Sequence, residues 1–216
     1  MNISSILAII YLLNSVLSNN INNDYINSEK ELWKPYYQDL TPRDTVSQWL
    51  IPFNTKNRKD LRTIGIVSVF GANRVTYLKG HIHTGLDMVP KPNDDTISVY
   101  PMAEGIVCSI HLADPLCTVV IKHILKDGSI LFTSYKHLAE IYVKTGDNVN
   151  HDTKLGRVYT KNESKKYHGN FYHLHLEVRK LFDDYGCASW LTFSREELEK
   201  RFYDPLEFMR KMIVSY

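Results

Sequence analysis

The sequence contains no C-x-x-C pair, no H-E-x-x-H, no internal repeat and no apolar run long enough to cross a bilayer. Each absence removes a class. The three cysteines, Cys108, Cys117 and Cys187, stand far apart, so a structural zinc knuckle built on closely spaced thiolates is excluded. Without H-E-x-x-H there is no helix pairing two histidines with a glutamate base. Charge of neither sign dominates, with a net +2 over 216 residues. That balance argues against a nucleic-acid partner, which calls for a basic patch. What is present is an ordinary globular composition, 44% hydrophobic and 23% charged, enough for one sizeable core.

The longest apolar stretch is Ile6 to Leu13, of export-signal length and too short to span a membrane. Val16 and Ser18 are small enough for a cleavage site, so residues 1–18 are expected to be a signal peptide. An uncleaved anchor is the rival, because no Lys or Arg precedes the run. No cysteine follows it closely, so lipid modification is not indicated. The chain is therefore expected to be exported, with no stable membrane span once the signal is removed. Asn19 to Glu29 is rich in Asn and poor in apolar residues, as in a linker. Residues 19–60 are read as a linker and extension. Within it Trp33, Tyr36, Tyr37, Trp49 and Leu50 are expected to dock on the main domain, as a packed arm or as a prosegment over the site.

From Ile64 the pattern becomes that of short strands. Ile64–Phe70, Glu104–Ile110, Thr118–His123 and Ser129–Tyr135 are apolar and β-branched. Asp114-Pro115, Asp127-Gly128 and Thr145–Asn148 separate or follow them as turns. Residues 61–180 are expected to form a compact domain of packed antiparallel β-sheets. Cys108 and Cys117 either face each other across a hairpin as a disulfide or are buried thiols. Ser194, with Glu197 three residues on, is a helix N-cap signal, and Pro205 suits a first helical position. Residues 181–216 are read as a tail of short helices packed on the domain.

Two spacings suggest chemistry. In His173-Leu174-His175-Leu176-Glu177-Val178 polar residues alternate with apolar ones. On a strand the leucines and Val178 face the core and both histidines face a groove. Glu177 shares that face and is read as an exposed charge at the strand end in preference to a support behind the ligands. His83 and Asp87 are four apart, an even number, and share a face if extended; Gly85 between them permits a bend or a close approach. Two imidazoles and a carboxylate leave a zinc position open, as in a hydrolytic centre. Spacing does not say whether His173 or His175 binds the metal. His81 flanks the ligand segment and is read as either a support to the ligands or exposed, whereas His111, His123, His151 and His168 carry no such signal and are read as exposed or locally bonded. Tyr77 and Tyr172 are read as packing or groove-lining residues.

Taken together, Phe70-Gly71 with Arg74, His83-x-Gly85-x-Asp87, Tyr135-x-His137-Leu138, Gly146-Asp147-x-Val149, Gly156 and His173-Leu174-His175-x-Glu177 resemble the lysostaphin/LytM family of zinc endopeptidases. The resemblance implies antiparallel sheets framing an open groove. It also implies one zinc ion per chain on His83, Asp87 and His175, two catalytic histidines, His137 and His173, and hydrolysis of peptide cross-links in bacterial peptidoglycan. The alternative is a non-enzymatic regulator or binding module on the same fold. Two departures stand out. Arg74 lies one residue further from Gly71 than the family spacing, which leaves it without an assigned role. The stretch Tyr159–Tyr172 is bulkier and more basic than the family's Gly-rich turn, and is expected to form a groove wall.

Overall fold

A computed structural model describes residues 38–75, 79–93, 95–182 and 192–213. The expected export signal, the Asn-rich linker, Trp33, Tyr36, Tyr37, Tyr77 and Cys187 lie outside the described residues.

The chain is mainly antiparallel β-sheet. A 3-10 turn (Leu61–Thr63) leads into β1 (Ile64–Ser68), β2 (Leu86–Pro90), β3 (Ser98–Val99), β4 (Gly105–His111) and β5 (Thr118–Ile124). There follow β6 (Ile130–Lys136), β7 (Leu138–Ile141), β8 (Asn148–Val149), β9 (Gly156–Val158) and a short helix, α1 (Lys161–Ser164). A further 3-10 turn (Lys165–Tyr167) precedes β10 (Leu174–Arg179), α2 (Arg195–Arg201), β11 (Phe202–Tyr203) and α3 (Pro205–Ile213). The large sheet runs β1-β2-β10-β6-β5-β4-β8, with β11 added on β10. A small sheet, β3-β9-β7, lies beside it.

Local chemistry explains these elements. β5 and β6 are β-branched runs joined through Asp127-Gly128, and the ladder closes at Ile124 opposite Ile130. Gly128 sits at φ +82°, a conformation that costs glycine little. On β10 the alternation holds: Leu174, Leu176 and Val178 are fully buried and share one core with Leu86, Met88, Val119 and Ile121. Burying each such side chain contributes roughly 1.5–3 kcal/mol. The strand-to-strand order that follows is what matters for function, because it places β10 between β2 and β6.

The described part of the N-terminal arm packs rather than covers. Val46, Trp49, Ile51 and Phe53 enter the same core, and Val46 and Leu50 donate backbone hydrogen bonds to Ile124 and Met102. At the other end Ser194 caps α2 by accepting from the Glu197 amide, and Pro205 opens α3. Met209 and Ile213 of α3 join the core, and Phe208 meets Trp49 edge-on at 4.9 Å. Among the described residues no helix is long and apolar enough to cross a membrane.

The disulfide reading is not met: Cys108 and Cys117 are both buried thiols, not bonded to each other. The register gives the reason. Cys108 lies in the bulge of β4 between Val107 and Ser109, whereas Cys117 lies past the last pair of the ladder, His111 opposite Thr118. The Cys117 thiol instead donates to the Asp114 carboxylate at 3.2 Å.

Candidate functional site

Five singled-out side chains converge. His83, Asp87, His137, His173 and His175 all line a cleft of about 600 Å³ whose wall includes Tyr167 to Phe171. The sheet register brings them together. His175 on β10 is opposite Asp87 on β2 and, on its other side, opposite Lys136 at the end of β6, next to His137. Side chains directly opposite each other in a ladder stand ~4.5–5.5 Å apart at Cβ, so residues 88 apart in sequence become immediate neighbours.

His83 does not lie on a strand with Asp87, contrary to the extended reading. It sits in the loop before β2, where its amide donates to Ala72 and its carbonyl accepts from Gly71. The chain then bends at Gly85, whose backbone runs so close to β10 that a Cβ there would stand 2.4 Å from the Leu176 carbonyl oxygen and 2.8 Å from the His175 ring. The glycine therefore permits the close approach that aims His83 and Asp87 at one point.

The partners of these rings fix their protons. His83 donates from Nδ1 to the Val69 carbonyl at 2.7 Å, which leaves Nε2 as a lone pair. His175 donates from Nε2 to Glu177 Oε1 at 2.9 Å, which leaves Nδ1 as a lone pair. Those two nitrogens are 2.9 Å apart, and each lies 2.9–3.0 Å from Asp87 Oδ1. Three acceptor atoms, buried and mutually in contact, repel one another unless a cation lies between them. Their spacing is close to the ~3.3 Å edge of a tetrahedron with ~2.0 Å zinc bonds. His83, Asp87 and His175 thus fit a divalent ion, with ligand atoms all within 4.8 Å of one another.

Asp87 is held ionised. Burial alone would raise its pKa; ring protons of His173, His175 and His83 turned toward it outweigh that and lower it, and where His83 and His175 present lone pairs instead a cation takes the place of those protons. Its second oxygen, Oδ2, accepts from Arg74 Nη2 at 2.7 Å. Arg74, unassigned from spacing, is therefore the group that turns Oδ1 toward the histidines. His83 is shifted the other way: burial, with repulsion from His175, lowers its pKa and favours the neutral ring that coordinates metals.

Glu177 corrects the sequence reading most sharply. It is 0% exposed. Besides His175 it accepts from the Thr84 hydroxyl at 2.6 Å and from Arg179 Nε at 2.9 Å, with Lys136 Nζ 3.7 Å away. Burial opposes its ionisation, and the charges of Arg179 and Lys136 overcome that, holding its pKa well below the usual value. The alternation did place it on the histidine face; that this face is buried was not legible.

His137 joins β6 to β7 at φ +72°, a left-handed conformation rare for a residue with a side chain. Its Nδ1 donates to the Pro115 carbonyl at 2.9 Å, leaving Nε2 unprotonated. Burial first, then repulsion from His173 and His175, pushes its pKa well below the ordinary histidine value. The His137 ring lies 5.0 Å from that of His173 and 4.9 Å from that of Phe171. His173 approaches Asp87 Oδ1 at 3.5 Å through Nε2, while its buried Nδ1 has no hydrogen-bond partner among the described residues.

The remaining assignments divide. His81 is buried in the cleft lining, not exposed. His123 is buried and locally bonded, to the Glu104 carbonyl and the Thr133 hydroxyl. His111 is buried, and His151 contacts the Gln48 carbonyl at 3.2 Å. His168 belongs to the cleft wall. Tyr172 is buried in the core with its hydroxyl donating to Asn93 at 2.9 Å, so it packs rather than faces the cleft. The bulky stretch before β10 does form a wall, through Tyr167, His168, Gly169, Asn170 and Phe171. Sequence reasoning missed Lys136, Thr84 and the carbonyls of Val69 and Pro115, because none carries a motif of its own.

Comparison with known proteins adds the family. Residues 81–186 match the model described as Peptidase family M23. No curated protein matches the sequence significantly. Among solved structures, the catalytic domain of the antimicrobial peptidase lysostaphin from Staphylococcus simulans is 18% identical, with 69% of this chain and 95% of that chain covered and a TM-score of 0.48. A zinc-containing peptidase from Vibrio cholerae is 25% identical, covering 60% of this chain and 37% of that one, TM-score 0.41. A chain of the SpoIIIAH and SpoIIQ complex is 19% identical, covering 76% and 99%, TM-score 0.41. The segment 81–186 carries the whole constellation of His83, Asp87, His137, His173 and His175, and it is this segment that matches peptidase family M23.

Proposed function

We propose that this protein is an exported zinc metalloendopeptidase that hydrolyses peptide cross-links of bacterial peptidoglycan. The observation that carries the reading is the meeting of three lone-pair atoms, His83 Nε2, Asp87 Oδ1 and His175 Nδ1, at 2.9–3.0 Å beside two further imidazoles. His83, Asp87 and His175 hold one zinc ion per chain. When bound, zinc supplies Lewis acidity, polarising a carbonyl and lowering the pKa of a nearby water.

The chain's own groups do the rest. Pro115 fixes the His137 proton on Nδ1, so Nε2 serves as the base that takes a proton from the attacking water. The depressed His137 pKa keeps that base unprotonated at neutral pH. His173 stands across from it in the cleft lining; it returns a proton to the leaving amine or stabilises the oxyanion. Arg74 and Glu177 orient Asp87 and His175. Export rests on the Ile6–Leu13 run, and the peptidoglycan substrate on the family.

Purified sacculi are incubated with the zinc-loaded protein and the released muropeptides weighed by mass spectrometry, with metal content measured in parallel. New peptide ends with one zinc per chain support the proposal. Zinc binding without any cleavage indicates a binding module instead, and a chain that takes up no zinc refutes the site.

A further inference from the structure

The turn between β4 and β5 lies outside the metal centre, yet it is tied to His137 by two routes. The first is direct: the Pro115 carbonyl accepts the His137 Nδ1 proton at 2.9 Å. The second starts on the preceding residue. Asp114 Oδ2 accepts from the Tyr167 hydroxyl at 3.0 Å, the Tyr167 ring meets Phe171 at 6.3 Å, and Phe171 meets His137 at 4.9 Å. The contacts therefore close a loop from His137 through Pro115, Asp114, Tyr167 and Phe171 back to His137.

Asp114 is the knot of this loop. Its Oδ1 takes two more donors, the Tyr159 hydroxyl at 2.5 Å and the Cys117 thiol at 3.2 Å. One carboxylate thus fastens the turn, the end of β9, the start of β5 and the cleft wall. The Tyr159 hydroxyl foremost, aided by Cys117 and Tyr167, holds the Asp114 carboxyl below its ordinary range, so it stays an all-acceptor hub at working pH. His137 needs such support. Its backbone sits at φ +72°, and a strained conformation of that kind persists only where its surroundings over-determine it.

We propose that Asp114 is a positioning residue for His137: by clamping the Pro115 turn and the Tyr167–Phe171 wall together, it sets the tautomer and angle of the imidazole that acts as base. The inference rests on the proposed role of His137. It also explains why a solvent-facing acidic residue gathers three hydroxyl or thiol donors.

The test compares wild type with Asp114→Asn, Asp114→Ala and Tyr167→Phe, each loaded with zinc. Two readouts are taken: kinetics on a peptide cross-link, and the nitrogen NMR signals of the His137 ring. In the wild type the His137 Nδ1–H signal is expected to be shielded from exchange with water. In Asp114→Ala that exchange is expected to rise at least ~10-fold, and kcat to fall ~10–100-fold, the scale of a ~1 Å misplacement. KM and zinc content are expected to stay within about twofold, since no metal ligand is touched. Tyr167→Phe removes one hydroxyl and is expected to give a smaller effect of the same sign. A merely structural Asp114 lowers the melting temperature but leaves the His137 signal and kcat of the folded protein unchanged; that result overturns the proposal. If the wild type itself cleaves nothing, the proposed function fails, while the NMR comparison still decides whether Asp114 holds the His137 ring.

Discussion

Gly85→Ala puts the smallest perturbation at the point where the proposed metal centre is assembled. A methyl group at this position meets the Leu176 carbonyl oxygen at 2.4 Å and two atoms of the His175 ring at 2.8 Å. Ordinary carbon–oxygen contact is roughly 3.3–3.6 Å, so one partner must retreat by about 1 Å. The carbonyl belongs to the backbone of β10, held in register by Leu86 on one side and Tyr135 on the other. The easier movement is outward displacement of the loop that carries His83, which pulls Nε2 away from Asp87 and His175. Overpacking of this kind costs ~1–3 kcal/mol of stability. Loss of ligand alignment is expected to weaken zinc binding by ~10–100-fold, as when a supporting contact of a ligand is removed. The assay is competition with a zinc-chelating dye, together with thermal melts of metal-free protein. Gly65→Ala is the control, because its methyl meets only movable side-chain atoms of Lys91 and Val89 at 3.1–3.2 Å. If Gly85→Ala binds zinc as tightly as wild type while its metal-free melt is unchanged, the claim that this glycine closes the site is wrong.

His173→Ala is expected to keep one zinc per chain and lose at least ~100-fold in kcat, the usual scale for a general acid or base; a normal rate on sacculi would remove His173 from the mechanism. Glu177→Ala leaves Arg179 and Lys136 buried without their carboxylate, so urea denaturation is expected to show a loss of ~3–5 kcal/mol, and an unchanged midpoint would contradict the network. Burial, with the Asp114 carboxylate beside it, pushes the Cys117 thiol up to about 12. A raised thiol pKa means the protonated form prevails, so iodoacetamide at about pH 8 should alkylate native Cys117 ~10³-fold more slowly than a free cysteine. Rapid labelling of the folded protein would show that the thiol is not held in that environment.

Much of the fold could be read from local pattern. Alternation on 173–178 placed Leu174, Leu176 and Val178 in the core, and the strands around Asp127-Gly128 pair as their turn requires. The helix starts at Ser194 and Pro205 were legible because capping is a contact between near neighbours. The misreadings concern long-range environment. Glu177 looked like a terminal charge, yet β6 runs beside it, the Thr84 hydroxyl meets it, and Arg179 and Lys136 supply its charged partners. Intervals along the chain left open whether Cys108 and Cys117 bridge or are buried thiols; a bulge and the end of the ladder separate them, and they are buried thiols. Arg74 had no assigned role because loop length, not residue spacing, decides that its guanidinium reaches Asp87.

Residue types and their intervals along the chain determined the inventory: two imidazoles and a carboxylate suited to a metal, two imidazoles to spare, and apolar residues at every second place around His175 to seat it on a strand. That much is local, since side-chain direction along a strand follows from backbone geometry alone. Tertiary structure decided which atoms of those residues are available. The Val69 and Pro115 carbonyls and the Glu177 carboxylate, each brought from a distant segment, place the ring protons of His83, His137 and His175. A ring nitrogen becomes a ligand or a base only when its opposite nitrogen has found a fixed acceptor, and no interval along the sequence specifies that acceptor.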